Sequence, residues 1–195
     1  KVTDMSSMFF GCESFKGAGL DGWDTSSVRT MKLMFNYCKK FNEDISEWSV
    51  GNVKTMSEMF CGAETFNQDI GNWNVGKVKD MGGMFSGASS FNRPLGAWRV
   101  DNVTDMSFMF NRASAFNQPL GGWRVDSVTD MHGMFMHASV FDQPIGGWFV
   151  DNVAAARDPR DASSAANWAA TVAASRPRIC GAPSTNVRRS PSAKS

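Results

Sequence analysis

Cysteine and histidine are the side chains of this chain with the most versatile chemistry, and both are scarce. Four cysteines and two histidines occur among 195 residues. Cys12 and Cys38 occupy equivalent places in neighbouring repeats, so a disulfide between them is conceivable in an oxidising compartment; buried free thiols in place of alanine are the preferred interpretation. His132 and His137 are the only histidines, and no Cys-x-x-Cys motif occurs. We therefore expect no metal site.

No other set of residues predicts catalysis. The sequence contains no Ser/His/Asp set, no paired-carboxylate motif and no phosphate-binding loop. No apolar run approaches the roughly 18 residues that a membrane span needs. These features predict a protein that is not an enzyme, binds no cofactor and does not span a membrane.

A repeat determines where every functional side chain must lie. Tryptophan recurs every 25 residues, and two methionine columns and two phenylalanine columns keep nearly the same interval. One such unit is too small to bury its own apolar face, whereas stacked copies bury a continuous core. Asn92 belongs to a further column whose amides are expected to bond backbone groups in a turn. The predicted structural columns include Trp48, Trp73, Trp98, Trp123, Met81, Met84, Phe85 and Asn92.

The spacing within a unit predicts two kinds of secondary structure. Met-x-x-Met-Phe-x-x-Ala places apolar groups at i, i+3, i+4 and i+7, which predicts a two-turn helix, and Asp80 or an equivalent residue precedes it as an N-cap. Trp98 and Val100 alternate with Arg99, as in a short strand with one buried face. The predicted fold class is α/β: a right-handed, leucine-rich-repeat-like solenoid of about six 25-residue coils, with a parallel sheet on one face and short helices on the other.

A family resemblance follows from these motifs. The segment 78–92 resembles the BspA-type leucine-rich repeat, and the ending Phe-Asn-x-x-(Leu/Ile)-x-x-Trp-x-Val resembles its 25-residue variant in Mycoplasma surface lipoproteins of unassigned function. The resemblance covers residues 1–153. It implies a solenoid that is often displayed on the cell surface or secreted, with a role in adhesion or recognition, and it supplies no catalytic residues.

The composition changes after the repeats. Residues 1–153 carry 13 basic and 17 acidic side chains, whereas residues 154–195 carry seven basic and two acidic ones and are rich in Ala, Ser, Pro and Arg. We interpret 154–195 as a mostly disordered tail, with a possible short helix over 161–174 that would cover the open end of the stack. The chain opens inside a repeat at Lys1, which suggests a piece of a longer protein, so the lack of a signal peptide does not indicate a compartment.

Positions that vary between copies are where a function is expected. The residue between the Trp and the Val changes along the stack from acidic through polar to basic, and includes Asn74, Arg99 and Arg124; Asp101 and Asp126 belong to a column two residues further on. We predict that this exposed strand face binds a protein or a glycan. The alternatives are a purely structural repeat segment, and nucleic-acid contact through the tail at Arg188 and Arg189, although the acidic array makes nucleic acid an improbable partner. An ice-binding surface and an enzyme rank lower.

Overall fold

The computed structural model describes residues 1–153; the predicted tail, its possible helix at 161–174 and the pair Arg188–Arg189 lie outside the described residues. Within residues 1–153 there is no helix, and the only strand-like pairing consists of isolated parallel bridges. The prediction of an α/β solenoid with a parallel sheet and short helices is therefore wrong. The bridges join one residue of each repeat to its counterpart in the next, in the order Asp4, Thr30, Thr55, Asp80, Asp105 and Asp130.

The segment that was predicted to be helical is a series of β-turns. In residues 81–88, the N–H of Met84 donates to the carbonyl of Met81 at 3.1 Å, and that of Ala88 donates to Phe85 at 3.0 Å. The N–H groups of Phe85 and Gly87 donate to the next repeat instead, that of Phe85 to the carbonyl of Met109 at 2.9 Å, whereas Ser86 donates to Gly83 of its own coil at 3.0 Å. Backbone N–H groups thus alternate between a turn within one coil and a bond to the next coil, a pattern that excludes the i→i−4 ladder of an α-helix.

Residues with a left-handed backbone conformation explain why this segment forms turns and why its spacing wrongly predicted a helix. The third residue of the turn 81–84 and of the turn 85–88 has positive φ, which a type II turn requires. Glycine meets it at Gly83 and Gly87, with φ of 62° and 70°, while Leu33 and Tyr37 adopt it at 59° and 56°. Two successive four-residue turns place their first and last residues at i, i+3, i+4 and i+7, so the apolar spacing is the same as that of a helix.

The predicted N-cap residues keep a capping bond without a helix. Asp80 Oδ1 accepts the N–H of Gly82 at 3.0 Å, and Asp105 and Asp130 accept the N–H two residues later at 2.8 Å each. This is the Asx-turn geometry that short polar side chains favour. The Asp and Thr residues of this column therefore start the turn series and also form the parallel bridges.

The predicted strand is likewise irregular, although its alternation of buried and exposed residues is present. Trp98 and Val100 are buried and Arg99 is exposed. Turns close on either side of the segment, from Trp98 N–H to Leu95 and from Val103 N–H to Val100. The alternation of apolar and polar residues therefore indicates which side chains are buried, and it does not require that the segment pair as a β-strand.

Stacked identical side chains fill the interior between the coils. The ring of Phe85 lies 5.7 Å from that of Phe60 and 5.6 Å from that of Phe110, nearly parallel to both, and 4.2 Å from Phe91 of its own coil. Each of the five fully buried indoles donates its N–H to a carbonyl of the preceding coil, so none of these five is left unsatisfied. The donors and acceptors are Trp48 to Leu20, Trp73 to Ile45, Trp98 to Ile70, Trp123 to Leu95 and Trp148 to Leu120, at 2.9–3.2 Å.

The asparagine column joins coils through the backbone. Asn67 Oδ1 accepts the N–H of Asn92, and Asn92 Oδ1 accepts the N–H of Asn117, both at 3.0 Å. The amide thus supplies an acceptor for a backbone donor of the next coil. Loss of one side chain of this column would leave such a donor without its partner.

Glycine at the left-handed positions should matter for stability. We expect Gly87→Ala to destabilise the protein by about 1 kcal/mol, because its φ of 70° strains an L-residue although the new methyl group would meet no atom closer than 3.6 Å. Gly122→Ala is the matched control, since no atom lies within 4 Å and its φ is not left-handed. Urea unfolding checks this; equal effects of the two substitutions would contradict the turn assignment.

Core and surface columns should also differ. Met84→Ala or Phe85→Ala should cost roughly 2–5 kcal/mol, because either change leaves a cavity between stacked coils. Arg99→Ala should change stability by less than about 0.5 kcal/mol, since its side chain is 83% exposed. The free energy of unfolding in urea measures both, and similar values would show that the buried face has been misidentified.

Candidate binding surface

The outward residue of the Trp-x-Val segment forms an exposed column along the stack. In the four middle coils the Trp and the Val on either side are buried, so the residue between them is directed to solvent; Trp23 and Val150 at the two ends are partly buried, and Thr25 replaces Val in the first coil. The column consists of Asp24, Ser49, Asn74, Arg99, Arg124 and Phe149, all of which are exposed. Its members differ in charge and size while the core beneath them stays constant.

Four residues of this surface form an alternating ionic network, which we call the Arg–Asp network: Arg99, Asp101, Arg124 and Asp126. Arg99 Nε lies 3.6 Å from Asp101 Oδ2, and Arg124 Nε lies 3.6 Å from Asp101 Oδ1. Arg124 Nε also lies 3.7 Å from Asp126 Oδ2. Asp101 therefore connects two coils by contacting both guanidinium groups.

The network contributes little to folding. The Arg99 and Arg124 side chains are 83% and 78% exposed, and exposed ion pairs are worth about 0–1 kcal/mol. The three contacts are longer than hydrogen bonds, and the other N–H groups of each guanidinium remain available to a partner. The arrangement presents cationic hydrogen-bond donors and anionic hydrogen-bond acceptors within a small area.

Asn74 lies in the same column one coil before Arg99, and the structure does not join it to the network. Its Oδ1 accepts the N–H of Gly76 at 3.2 Å, which is a local turn bond. The predicted binding residues are thus brought together as a group of four, with Asn74 adjacent along the stack.

A second column, which precedes the Trp-x-Val segment and varies in type, takes part in bonding between coils through Gln68, Arg93, Gln118 and Gln143. Gln118 Nε2 donates to the Asn92 carbonyl oxygen at 3.2 Å and to Asn92 Oδ1 at 3.0 Å. Arg93 Nε donates to the Asn67 carbonyl at 2.7 Å. These side chains vary in type but perform the same task of tying neighbouring coils together, so they are poor candidates for recognition.

The cysteines of the described part are free thiols in three environments. Cys12 is exposed, Cys61 is intermediate, and Cys38 is buried with its S–H donating to the Phe9 carbonyl at 2.9 Å. Burial raises the pKa of Cys38 to about 11. Burial and, secondly, the negative charge of Glu58 raise the pKa of Cys61.

Metal ligands do not gather in the part of the chain that the structure describes. No group of three His, Cys, Asp or Glu side chains is arranged to hold a metal ion there. Among residues 1–153 no helix is long and apolar enough to cross a membrane.

A cluster of cations was missed at the level of sequence. Arg29, Lys54 and Lys79 occupy the same position in three consecutive coils, each directly after a buried Val, and Lys77 lies two residues before Lys79. We call these four exposed residues the basic strip. The recurring Val-(Arg/Lys)-(Thr/Asp) triplet is the feature of the sequence that indicates this cluster.

The thiols should differ in reactivity. Among the described cysteines, iodoacetamide at about pH 8 should alkylate exposed Cys12 faster than Cys61 and leave Cys38 unmodified while the chain is folded, because only an accessible thiolate reacts. Peptide mapping by mass spectrometry checks the order of alkylation; equal alkylation of Cys12 and Cys38 would contradict the packing described.

The buried thiol of Cys38 also makes the stability of the fold depend on pH. Since folding raises the pKa of Cys38 from 9.0 to about 11, its protonated thiol contributes stability that is complete below pH 9 and is lost as pH rises through 11.

Comparison with known proteins agrees with the repeat. A family model described as a Mycoplasma protein of unknown function, DUF285, matches residues 1–82 and again residues 68–171. Comparisons with curated proteins and with solved structures gave no match. The two overlapping matches together cover most of the chain, and the chain therefore belongs to the DUF285 family of Mycoplasma proteins of unknown function.

Proposed function

We propose that this chain is a non-catalytic recognition module that binds a protein or a glycan through the surface containing the Arg–Asp network. The observation that carries the proposal is the contrast between columns. Trp98 and Trp123 repeat unchanged in the core, whereas Arg99 and Arg124 directly beside them are exposed and differ from their counterparts in earlier coils. A surface that varies over a constant core is typical of repeat proteins that bind partners.

The network's charges indicate the kind of contact. Two guanidinium groups face two carboxylates, so the cluster is neutral overall. Such a cluster favours a partner that offers both donors and acceptors, such as a polar protein surface or a hydroxyl-rich glycan, over a purely anionic one. A partner carboxylate would compete with Asp101 for the arginines, and the binding would depend moderately on salt.

Adhesion at a cell surface is the finer form of this proposal, and it is supported by the BspA-type motif resemblance alone. That resemblance lies in the spacing of Met, Phe, Asn and Trp and does not extend to an α/β architecture. A purely structural repeat segment is the second candidate, supported by the extensive bonding of each coil to the next.

The test compares the full chain with an Arg99→Glu, Arg124→Glu variant on a glycan array and on a panel of purified cell-surface proteins. We expect the variant to lose roughly tenfold or more in affinity for any protein or uncharged glycan that binds, because both guanidinium groups become carboxylates beside Asp101 and Asp126. Stability should be unchanged, since both side chains are exposed.

The control is Lys40→Glu, Arg112→Glu, which makes the same change in net charge at exposed residues outside this surface. It should bind as the parent chain does. Equal affinity of all three proteins would place recognition elsewhere, and a chain that binds no ligand on either panel would favour the structural role.

A further inference from the structure

The basic strip places like charges on adjoining coils. The N–H of Lys54 donates to the Arg29 carbonyl at 2.8 Å, and that of Lys79 donates to the Lys54 carbonyl at 2.9 Å. Their backbones are therefore about 4.8 Å apart, as in neighbouring strands. Like charges directly opposite each other are destabilising, so the strip does not serve the stability of the fold.

No carboxylate within residues 1–153 forms an ion pair with the strip. Asp80 is the next residue to Lys79, but its Oδ1 accepts the N–H of Gly82 and its Oδ2 accepts the hydroxyl of Thr55. The carboxylate is thereby directed toward the turn series. The strip differs in this respect from Arg99 and Arg124, which Asp101 already contacts.

A groove of about 450 Å³ lies beside three residues of the strip, and Lys79 lies outside its lining. Its lining contains Arg29, Lys54 and Lys77 together with Lys1, and no carboxylate. Serine, threonine and asparagine complete the lining, and Lys77 Nζ donates to Asn52 Oδ1 at 2.8 Å, which holds that ammonium group in place. The groove thus combines several cations, of which Lys77 is held by a hydrogen bond, with neutral hydrogen-bonding groups.

The cations of the strip recur at a regular distance along the stack, so they favour a ligand whose anionic groups also recur at regular distances. We propose that the basic strip binds an anionic polysaccharide, with sulfate or carboxylate groups on the cations and sugar hydroxyls on the neutral side chains. Single-stranded nucleic acid fits less well, because its bases need aromatic stacking platforms. The exposed aromatic residues of the described part, Phe10, Tyr37 and Phe149, lie at other positions of the repeat. This site goes beyond the proposed function and does not depend on the Arg–Asp network.

The experiment measures binding of the full chain to immobilised heparin, to neutral dextran and to a single-stranded oligothymidylate at about 0.05 M salt, where screening is weak. The test variant is Arg29→Ala, Lys54→Ala, Lys79→Ala. We expect the parent chain to bind heparin and not dextran, and the variant to bind heparin about tenfold more weakly, with a shallower salt dependence.

Two controls remove three cations each from other places. Lys16→Ala, Lys40→Ala, Arg112→Ala alters exposed residues of the array away from the strip, and Arg188→Ala, Arg189→Ala, Lys194→Ala alters the basic tail. Both should retain heparin affinity within about threefold, because each leaves the strip intact and lowers only the long-range attraction that depends on net charge. Thermal unfolding of each variant verifies that the fold is intact.

Three results would overturn the proposal. Equal heparin affinity of the parent and the strip variant would show that heparin does not bind at the strip. A tail variant that loses as much heparin affinity as the strip variant would contradict the proposal in the same way. Tighter, strip-dependent binding of the oligothymidylate would assign the site to nucleic acid instead. None of these results bears on the Arg–Asp network, whose test uses different variants and probes.

Discussion

The backbone hydrogen bond from one repeat to the same position of the next is the constraint on which this molecule depends. It requires every coil to present donors and acceptors at equal intervals, so the length of the turn series cannot vary. The first unit contains one extra residue between Phe15 and Trp23. Gly17 and Gly19, with φ of 105° and 86°, lie in that stretch, where the chain can turn tightly and pass close to the ring of Phe41 without disturbing the series.

Equal intervals then dictate the side chains. A residue at a given position meets its own counterpart above and below, so the core must be built from groups that pack well against themselves. Flat phenylalanine rings do so at 5.5–6.2 Å between coils, and tryptophan supplies both a stacked ring and an N–H for a carbonyl. Burial depends on both neighbours: Met34 is fully buried, whereas Met8 in the first coil is 43% exposed.

The sequence predicted the period and the buried face, because both depend only on which residues recur. It did not predict the backbone, since the turns of 81–84 and 85–88 reproduce the apolar spacing of a helix. Gly83 and Gly87 stand at the positions with positive φ and are typical of turns. Leu33 and Tyr37 occupy the same positions in another coil, so glycine does not recur there regularly enough to predict the turns. The exposed position of Arg99 and Arg124 was predicted from the sequence. The contact of Asp101 with both arginines depends on distances between coils, which the sequence does not give. Gln118 takes part in the bonding between coils.

The two charged surfaces follow from one property of the stack, which brings equivalent residues of consecutive coils together. Where neighbouring positions hold opposite charges, as Asp101 and Arg124 do, the stack neutralises them and leaves directional hydrogen-bonding groups. Where one position holds the same charge in three coils, as in Arg29, Lys54 and Lys79, the stack concentrates it. Substitution of a single exposed residue therefore alters a line of charge across several coils, while the core columns stay as they are. A repeat of this kind can change its binding chemistry at little cost in stability.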